Sequence, residues 1–427
     1  MAAENWEYNI DRERLEKELI VTPNDASAHF ALAYFLNESD EPDKVKSLYE
    51  QAIMLNPKFA AANNNLGLLL QQNYKEFDAA KAHFEVALTI EANDVDYNIN
   101  YADLLTDDLH DHLNARLYYE RAIDIDPLQA YAHFSLAHLL DVHFDEHILA
   151  LHHYQIAIDL NSSNKSYYNN AALILEHKLQ DYEAARTMYE GGLAIDAEDF
   201  GLHNSLANLL DDHFGEYELA REHYLKAINL SPDTARAYYD YGILLNNRFD
   251  DYENAKRNFE KAIALNPVHS MALCALGKIY WDDLDKLEDA EKYFERAVAA
   301  DPENADALFN LAMLLAARPA DHHRAKECYL RSLELDPSNA DCHVCFANLL
   351  DDGFADYDNA GKHYTRAIEL EPDNAYAWHE FAIMYADSLK DPITARSYFE
   401  KALMLEPDRE ETLERLESMT TEDDRGK

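Results

Sequence analysis

The chain has 427 residues, of which 48% are apolar, and its formal net charge is −45. Nucleic-acid binding rests on neutralising phosphates with Lys and Arg, so this charge argues against nucleic acid and against anionic membrane surfaces as partners. No apolar run approaches the roughly 18 residues of a membrane-spanning helix. The N-terminal residues lack the charged and apolar regions of a secretory signal. We therefore expect a protein of the cytoplasm that is not secreted and that is also compatible with the nucleus.

The first predicted element is a helix over residues 9–21, just before Thr22-Pro23. Proline cannot continue a helix, so this element ends there. It resembles the second half of the units that follow it along the chain. Because the end units of a repeat array need a covering element, residues 1–25 are interpreted as an N-terminal capping helix, or half-repeat.

A small residue then recurs eleven times along the chain. The spacing between successive copies is constant, except that the first spacing is one residue shorter. The small residue occupies Ala33, Gly67, Ala102, Ala137, Ala172, Ala207, Gly242, Gly277, Ala312, Ala347 and Ala382. In the second half of each unit, an Ala is followed four residues later by an aromatic residue, and these positions share one helical face. A Pro follows in eight copies and ends that helix. Each unit is thus predicted to be helix A, a turn, helix B and a second turn.

The repeats resemble the tetratricopeptide repeat (TPR) family over about residues 24–408. In one copy the family pattern falls on Tyr238, Tyr241, Gly242, Leu245, Ala255, Phe259, Ala262 and Pro267. The resemblance implies an all-α fold, namely a right-handed superhelical α-solenoid of antiparallel helix pairs, with residues 26–408 as a single solenoid domain. It also implies a non-enzymatic scaffold for protein–protein interaction. Compared with the usual unit of the family, ten of the eleven copies here carry one extra residue between helices A and B.

The turns between helices A and B share acids and aromatic residues, as in the segment 211–217. We interpret Phe214 and Tyr217 as filling the space between the two helices. Acid pairs close helix A at Asp107-Asp108, Asp211-Asp212, Asp282-Asp283 and Asp351-Asp352. Carboxylates at a helix C-terminus oppose the helix dipole. Three interpretations stay open: they hydrate the turn or cap helix B, they bind Lys and Arg of a partner, or they hold calcium.

In proteins of the family, the inner face of helix A lines a channel that binds extended peptides. Here this face repeatedly carries Asn, at Asn65, Asn100, Asn170, Asn208, Asn310 and Asn348. Asn is about 0.6 kcal/mol worse than Ala as a helix former, and its amide both donates and accepts hydrogen bonds. We hypothesise a ladder that holds a peptide backbone; the alternative is hydrogen bonding between neighbouring repeats. The O-linked N-acetylglucosamine transferase family has such a ladder, but its catalytic part is absent from this sequence.

The same face carries the acids Asp103 and Asp240 and the aromatic residues Tyr239, Trp281 and Phe309. Basic residues are nearly absent from it; Arg236 and Lys278 are the main ones. The predicted partner is therefore a protein with a basic or extended segment. TPR co-chaperones use several Lys and Arg to bind the acidic C-termini of heat-shock chaperones. Because that set is missing, such C-termini are not expected as partners.

Two motifs suggest chemistry, but both fall within repeat positions. Cys342-His343-Val344-Cys345 has the spacing of a zinc pair, yet no second pair lies nearby in sequence. His143-Phe144-Asp145-Glu146-His147 matches a metalloprotease pattern but is one variant of the A–B turn. We expect no catalytic residues, no metal site and no cofactor, so the chain is predicted not to be an enzyme.

The last element is a helix over residues 410–419, and residues 409–427 are interpreted as a capping helix with a polar tail. The preferred function is binding of an extended, basic peptide in an acidic groove. The alternative is an architectural subunit of a large multiprotein assembly that contacts partners by its edges and ends. A metal protein or enzyme hidden in degenerate repeats is a third hypothesis.

Overall fold

A computed structural model describes residues 2–282 and 286–425, with side chains for residues 12–36, 41–282 and 286–419. Asp283 of the predicted acid pairs lies outside these ranges. The described secondary structure is helical, without strands. In chain order, the α-helices are α1 (Ala2–Val21), α2 (Ala26–Asp40), α3 (Pro42–Leu55), α4 (Ala60–Leu69), α5 (Phe77–Ile90), α6 (Val95–Asp107), α7 (His112–Ile125), α8 (Ala130–Phe144), α9 (His147–Leu160), α10 (Lys165–His177), α11 (Tyr182–Ile195), α12 (Phe200–Leu209), α13 (Tyr217–Leu230), α14 (Ala235–Phe249), α15 (Tyr252–Leu265), α16 (Ser270–Asp282), α17 (Leu287–Ala300), α18 (Ala305–Ala316), α19 (His322–Leu335), α20 (Ala340–Asn348), α21 (Tyr357–Leu370), α22 (Ala375–Ile383), α23 (Pro392–Leu405) and α24 (Glu410–Arg425).

Even-numbered helices from α2 to α22 are helices A, and odd-numbered helices from α3 to α23 are helices B. The expected all-α fold of paired helices is confirmed. The chain divides into two compact units, Met1–Phe214 and Gly215–Lys427. Within each unit, a helix B packs against the helix A before it and the helix A after it. None of the described helices is both long and apolar enough to cross a bilayer.

In each copy, the small residue of helix A and the aromatic residue of helix B are both buried. Where the small residue is Gly, the aromatic residue is Phe, and a side chain on that Gly would collide with the ring. A Cβ on Gly242 would lie 2.6 Å from Phe259 Cε1, and one on Gly277 would lie 2.7 Å from the same atom of Phe294. These contacts fix the spacing of the two helices.

The ten longer copies place their extra residue at the end of helix A, mostly in a left-handed conformation. This conformation, with φ between 52° and 64°, occurs at Lys75, His110, Asp145, Gln180, Gly215, Asp250, Ala355 and Lys390. The next backbone N–H bonds back six residues, as from Asp111 to the carbonyl of Leu105 at 2.8 Å. The closing bond of a Schellman helix end reaches only from C″ to C3, so these ends are one residue wider and accommodate the insertion. In the ninth copy, a 3-10 turn at Pro319–Asp321 replaces this arrangement.

The aromatic residues of the A–B turns contact neighbouring repeats. Arg186 of α11 lies over the ring of Phe214 at 5.2 Å, and Arg248 at the end of α14 lies over Tyr217 at 5.1 Å. Pairs equivalent to the first are Arg116 with Phe144 and Arg221 with Phe249. These contacts join one repeat to the next, and the interpretation that the rings fill their own hairpin stays a prediction.

Many acidic and amide side chains start the helices. The carboxylates of Asp94 and Asp199 accept backbone N–H bonds at the starts of α6 and α12, and Asn304 does so for α18. Asp111 and Asp251 cap α7 and α15 in the same way. Capping by Asp or Asn is worth about 1 kcal/mol per helix. Part of the negative charge therefore has a structural role.

Candidate functional site

Within each unit, successive helices A lie side by side: α4 contacts α6, α6 contacts α8 and α8 contacts α10, while α14 contacts α16, α16 contacts α18 and α20 contacts α22. In each unit, we call the surface that carries the predicted site residues on helices A the A-face of that unit. Its floor is formed in part by the hydroxyl groups of the helix-B tyrosines. Some of these hydroxyls reach helix A of the same hairpin, as Tyr119 does with Asp103, and others reach helix A of the next repeat, as Tyr49 does with Asn65 and Tyr154 with Asn170.

In the first unit, asparagines link neighbouring repeats. Asn64 Nδ2 donates to Asn65 Oδ1 at 3.1 Å, and Asn100 Nδ2 of the next repeat donates to Asn64 Oδ1 at 3.1 Å. Asn65 Nδ2 also donates to the hydroxyl of Tyr49 at 3.4 Å. Asn65 and Asn100 are half-buried. These amides therefore form hydrogen bonds between repeats, as one interpretation expects. Part of each side chain also stays open to solvent, as a peptide-binding ladder would require.

Asp103 is held by two tyrosines instead of a cation. Tyr119 donates its hydroxyl to Asp103 Oδ1 at 2.5 Å, and Tyr131 of the next helix A donates to Oδ2 at 3.2 Å. Burial raises the pKa of Asp103 to about 6, although both hydrogen bonds act in the opposite direction. The ionised form of such a buried carboxylate is stabilised when a positive group approaches it.

Asn170 follows the pattern of Asn65. Its Nδ2 donates to the hydroxyl of Tyr154 at 3.3 Å, and it accepts a bond from Asn169 at 3.3 Å. Asn208, on α12, is half-buried. The predicted asparagines of the first unit therefore share one face of helix A and a similar degree of exposure.

In the second unit, a pocket of about 650 Å³ opens between α14, α16 and α18. Tyr239, Asn310 and Lys278 are among its lining residues, together with Asp306. Asn310 is buried and donates to the carbonyl of Asp306 at 2.7 Å and to the sulfur of Cys274 at 3.4 Å. Its amide is thereby committed to the protein itself. Lys278 and Asp306 are exposed at the rim.

A second pocket of about 320 Å³ contains Trp281 and Asn348. Asn348 donates from Nδ2 to Glu380 Oε2 at 3.2 Å and accepts from the hydroxyl of Tyr364 at 2.5 Å. Burial raises the pKa of Glu380. The indole of Trp281 packs edge-on against Phe294, with ring centroids 6.2 Å apart.

The remaining predicted residues have structural contacts. Arg236 donates from Nε to both carboxylate oxygens of Asp240, at 3.0 and 2.9 Å, and Asp240 is buried. Phe309 is half-buried, with its ring centroid 6.3 Å from that of Tyr329. Asp240 is therefore not an uncompensated acid, and Phe309 belongs mostly to the packing of its own hairpin.

The sequence analysis did not identify an aromatic pocket in the first repeat. Phe30, Tyr34 and Phe35 line a space of about 780 Å³ together with Asn65 and Leu68. Tyr34 is 69% exposed, which is unusual for a large ring. Only the first copy lacks the extra residue of the A–B turn. Its aromatic residues therefore could not be compared with equivalent positions in the other copies.

The side chains of the two motifs, residues 342–345 and 143–147, contact different neighbours. Cys342 Sγ lies 3.7 Å from Ser332 Oγ of α19, whereas Cys345 Sγ lies 4.0 Å from Met313 Sδ of α18, so the two sulfurs contact different helices. His143 stacks on His112, and His147 Nδ1 bonds Asp141. Among the described side chains, no three His, Cys, Asp or Glu converge as metal ligands.

Two of the acid pairs bridge repeats. Gln71 Nε2 donates to Asp108 Oδ2 at 2.7 Å, and Ser388 donates to Asp351 Oδ1 at 2.7 Å. In each case the two residues are 37 positions apart. These contacts favour a structural role for Asp108 and Asp351, with the second acid of the latter pair, Asp352, exposed.

Three family models match the chain. One, described as TPR repeat, covers residues 215–246, and two described as tetratricopeptide repeat cover residues 282–340 and residues 166–199 with 235–269. Comparison with proteins of curated description gives no match.

Several solved structures are similar. YrrB, described as a TPR protein with an unusual peptide-binding site, is 27% identical over 45% of this chain and 96% of its own, with a TM-score of 0.35. Yeast Tom70 is 16% identical over 93% of this chain and 96% of its own, with a TM-score of 0.45. A chain of the APC/C hetero-tetramer Cut9-Hcn1 is 16% identical over 98% of this chain and 94% of its own, with a TM-score of 0.45. At these TM-scores the likeness carries no inference about function.

The matched segments repeat the register of the small and aromatic residues that the hairpins bury. Repeats of this kind build scaffolds for protein–protein interaction. The chain therefore carries tetratricopeptide repeats at residues 166–199, 215–269 and 282–340.

Proposed function

We propose that this protein is a non-enzymatic scaffold that holds an extended, basic segment of another protein along the A-face. One observation carries the proposal. Asp96, Asp306 and Asp341 are exposed in the first turns of their helices A, and none forms an ion pair with Lys or Arg among the described residues. In each unit, uncompensated carboxylates on this side of helices A attract and orient a basic partner.

The neighbouring groups support an extended peptide. Asn65 and Asn348 lie in pockets of the A-face, and an amide can donate to and accept from a peptide bond. The pockets beside them have sizes that suit single side chains or short segments. Asp103 adds a carboxylate whose raised pKa reflects burial without a nearby cation.

The finer points of this function remain part of the proposal. The partner is a protein, not nucleic acid, a membrane or the acidic C-terminus of a heat-shock chaperone, and binding occurs in the cytoplasm. The net charge of −45 supports the exclusion of nucleic acid, membranes and acidic chaperone C-termini, because each of these is itself negative.

The test compares two sets of charge removals. The groove variant carries Asp96→Asn, Asp306→Asn and Asp341→Asn. The control variant carries Asp78→Asn, Glu183→Gln and Glu253→Gln, which are exposed acids in the first turns of helices B. Both sets remove three charges and disturb three helix dipoles equally. The probe is a labelled peptide of alternating lysine and serine, with a glutamine–serine peptide as reference.

Fluorescence anisotropy should show binding of the lysine–serine peptide that weakens with salt. The groove variant should bind it about tenfold more weakly, since three exposed charge pairs at up to ~1 kcal/mol each give that order of effect. The control variant should change less than about threefold. Equal weakening in both variants would mean diffuse attraction, and absence of binding at low salt would leave the architectural alternative.

A further inference from the structure

Two copies of the repeat carry a pair of histidines that face each other across the hairpin. In the fourth copy, Nδ1 of His133 on α8 lies 2.9 Å from Nδ1 of His153 on α9. In the tenth copy, the same atoms of His343 on α20 and His363 on α21 are 2.8 Å apart. The helix-A histidines His133 and His343 are buried, with exposures of 4% and 7%. Each histidine pair is therefore a direct hydrogen bond between helix A and helix B.

A backbone carbonyl determines which nitrogen of the helix-A ring carries the proton. Nε2 of His133 lies 3.2 Å from the carbonyl oxygen of Pro127, and the same contact recurs in the tenth copy at 3.4 Å. A carbonyl oxygen can only accept, so Nε2 of His133 is the donor and Nδ1 of the neutral ring is an acceptor. The proton between the two rings then belongs to His153. The bond therefore requires that His133 is neutral at Nδ1.

The second copy has a pair of different chemistry at the same two positions. Oδ1 of Asn63 lies 3.0 Å from Nδ1 of His83, while Nδ2 of the same amide donates to the carbonyl of Phe59. An amide oxygen accepts whether the imidazole is neutral or charged, so protonation of His83 leaves this bond in place. In a histidine pair, protonation of both rings instead brings two N–H groups and two positive charges face to face. The two kinds of pair should therefore respond differently to acid.

The surroundings of the fourth-copy pair favour neutral rings. Burial, followed by the charge of His133, lowers the pKa of His153 to about 4, and His152 and Arg116 act in the same direction. Burial also lowers the pKa of His133, although its bond to the backbone carbonyl opposes this shift. No described carboxylate is among the groups that act on this pair. Acid therefore meets two rings without a negative partner.

The tenth copy has nearly the same balance. Burial, followed by the charge of His343, lowers the pKa of His363 to about 4, and Lys362 acts in the same direction. Burial lowers the pKa of His343 as well; Arg366 adds to this shift, while the backbone carbonyl and Asp336, which follows α19, oppose it. Helices α6, α10 and α22 also pack against the paired helices. No described charged group on those three helices contributes to the shifts in either copy.

We propose that the two histidine pairs are acid-sensitive contacts, which hold helices A and B together while one ring of each pair is neutral and release them when both rings are protonated. The folded pKa of the helix-B histidines is about 4, below the ordinary 6.5, so their contribution to stability is present above pH 6.5 and is lost as pH falls through 4. Because each repeat packs only against its neighbours, opening of one hairpin interrupts the row of helices A in its unit.

Hydrogen exchange of the full chain at about pH 7 and about pH 5, corrected for the intrinsic exchange rate, tests this inference. In the wild-type protein, protection of peptides from α8, α9, α20 and α21 should fall at least about tenfold at the lower pH. The reason is that an unfolded ring with a pKa of 6.5 takes up a proton there, whereas a folded ring with a pKa of about 4 does not. Protection of α4 and α5, which carry Asn63 and His83, should fall less.

Two variants exchange the two kinds of pair. His133→Asn with His343→Asn gives the fourth and tenth copies the pair that the second copy already has, so this protein should fold and should lose most of the acid sensitivity of the four helices. Asn63→His places an imidazole opposite His83 and should make α4 and α5 acid-sensitive. Asp103 also responds to pH, with the opposite sign, but it is unchanged in both variants. The difference from wild type therefore reports the pairs alone.

Circular dichroism at neutral pH should show equal helix content in all three proteins. Equal loss of protection at the lower pH in wild type and in the double variant would overturn the inference. So would an Asn63→His protein whose α4 and α5 stay as protected as in wild type. If the double variant lost helix at neutral pH, the wild-type comparison of α8 and α9 with α4 and α5 would decide, and equal losses there would contradict the inference. None of these results depends on peptide binding at the A-face.

Discussion

Two kinds of hairpin occur in this molecule. In Gly–Phe hairpins, such as the one of Gly242 and Phe259, the ring lies against the backbone of helix A and brings no hydroxyl. In Ala–Tyr hairpins, a methyl group occupies that space and the tyrosine hydroxyl can reach a polar side chain, as Tyr189 does with Glu176. Ten of the eleven copies follow one rule or the other, and Ala382 with Phe399 is the departure. A small exchange on each helix thus decides whether the A-face has an apolar or a polar floor.

The largest effect is expected from forcing an Ala into a Gly–Phe hairpin. Gly242→Ala places a methyl group 2.6 Å from Phe259 Cε1, so the buried ring must move. Overpacking of this kind costs about 2–3 kcal/mol in the free energy of unfolding of the repeat. Hydrogen exchange of peptides from α14 and α15 should show the loss.

Gly361→Ala is the matched control for that change. It also lies within a helix, but its new Cβ would be 3.9 Å from the nearest side-chain atoms. Without a clash, Ala in a helix is more stable than Gly by about 0.5–1 kcal/mol. If both variants changed the hydrogen-exchange rate in the same direction, a clash with the Phe259 ring would not explain the effect of Gly242→Ala.

Removing a hydroxyl from an Ala–Tyr hairpin should have a smaller effect. Tyr189→Phe leaves the carboxylate of Glu176, which is only 6% exposed, without the hydroxyl that donates to it at 2.7 Å. An unsatisfied buried acceptor costs about 1–2 kcal/mol in stability. Tyr154→Phe should cost less than about 1 kcal/mol, because its partner Asn170 is partly open to water. Urea unfolding of the two variants gives the comparison, and equal losses would contradict it.

The smallest effect concerns the Ala–Tyr hairpin whose hydroxyl meets Asp103. The folded pKa of Asp103 is about 6, above its ordinary 3.8, so the folded state binds a proton more tightly than the unfolded chain. Its contribution to stability is therefore present below about pH 4 and is lost as pH rises through 6. Asp103→Asn should remove this dependence and gain about 1 kcal/mol at pH 7.

Asp96→Asn is the control for Asp103→Asn, since Asp96 is exposed on the same helix. Unfolding free energies at about pH 4.5 and pH 7 should differ less in the Asp103 variant than in wild type, whereas the control should match wild type. A variant that lost stability at both pH values would show that the carboxylate is needed for its hydrogen bonds instead.

Sequence reasoning predicted the helix pairs because burial repeats with the register. Ala255, Phe259 and Ala262 define one face of α15, and all three are buried. The Gly–Phe and Ala–Tyr rule was present in the sequence as a correlation between the small position of helix A and the aromatic position of helix B. Its meaning needed coordinates, since only distances show that a Cβ and a ring compete for one space.

The candidate site was predicted less completely. Tyr239 and Asn348, which were chosen by their position on helix A, line pockets. The sequence could not show that the Asn310 amide donates to the carbonyl of Asp306 or that Asp240 pairs with Arg236. Hydrogen-bond partners depend on rotamers and on neighbouring repeats.

The left-handed residues that close helices A have a consequence for engineering. Of the eight that the described chain contains, seven are not glycine, and a residue with a side chain pays roughly 1 kcal/mol for this conformation. The remaining copy already has Gly215 there, which shows that glycine is compatible with the turn. Where two turns do not contact each other, such gains would add almost independently. The chain therefore holds a reserve of thermostability that could be released one turn at a time.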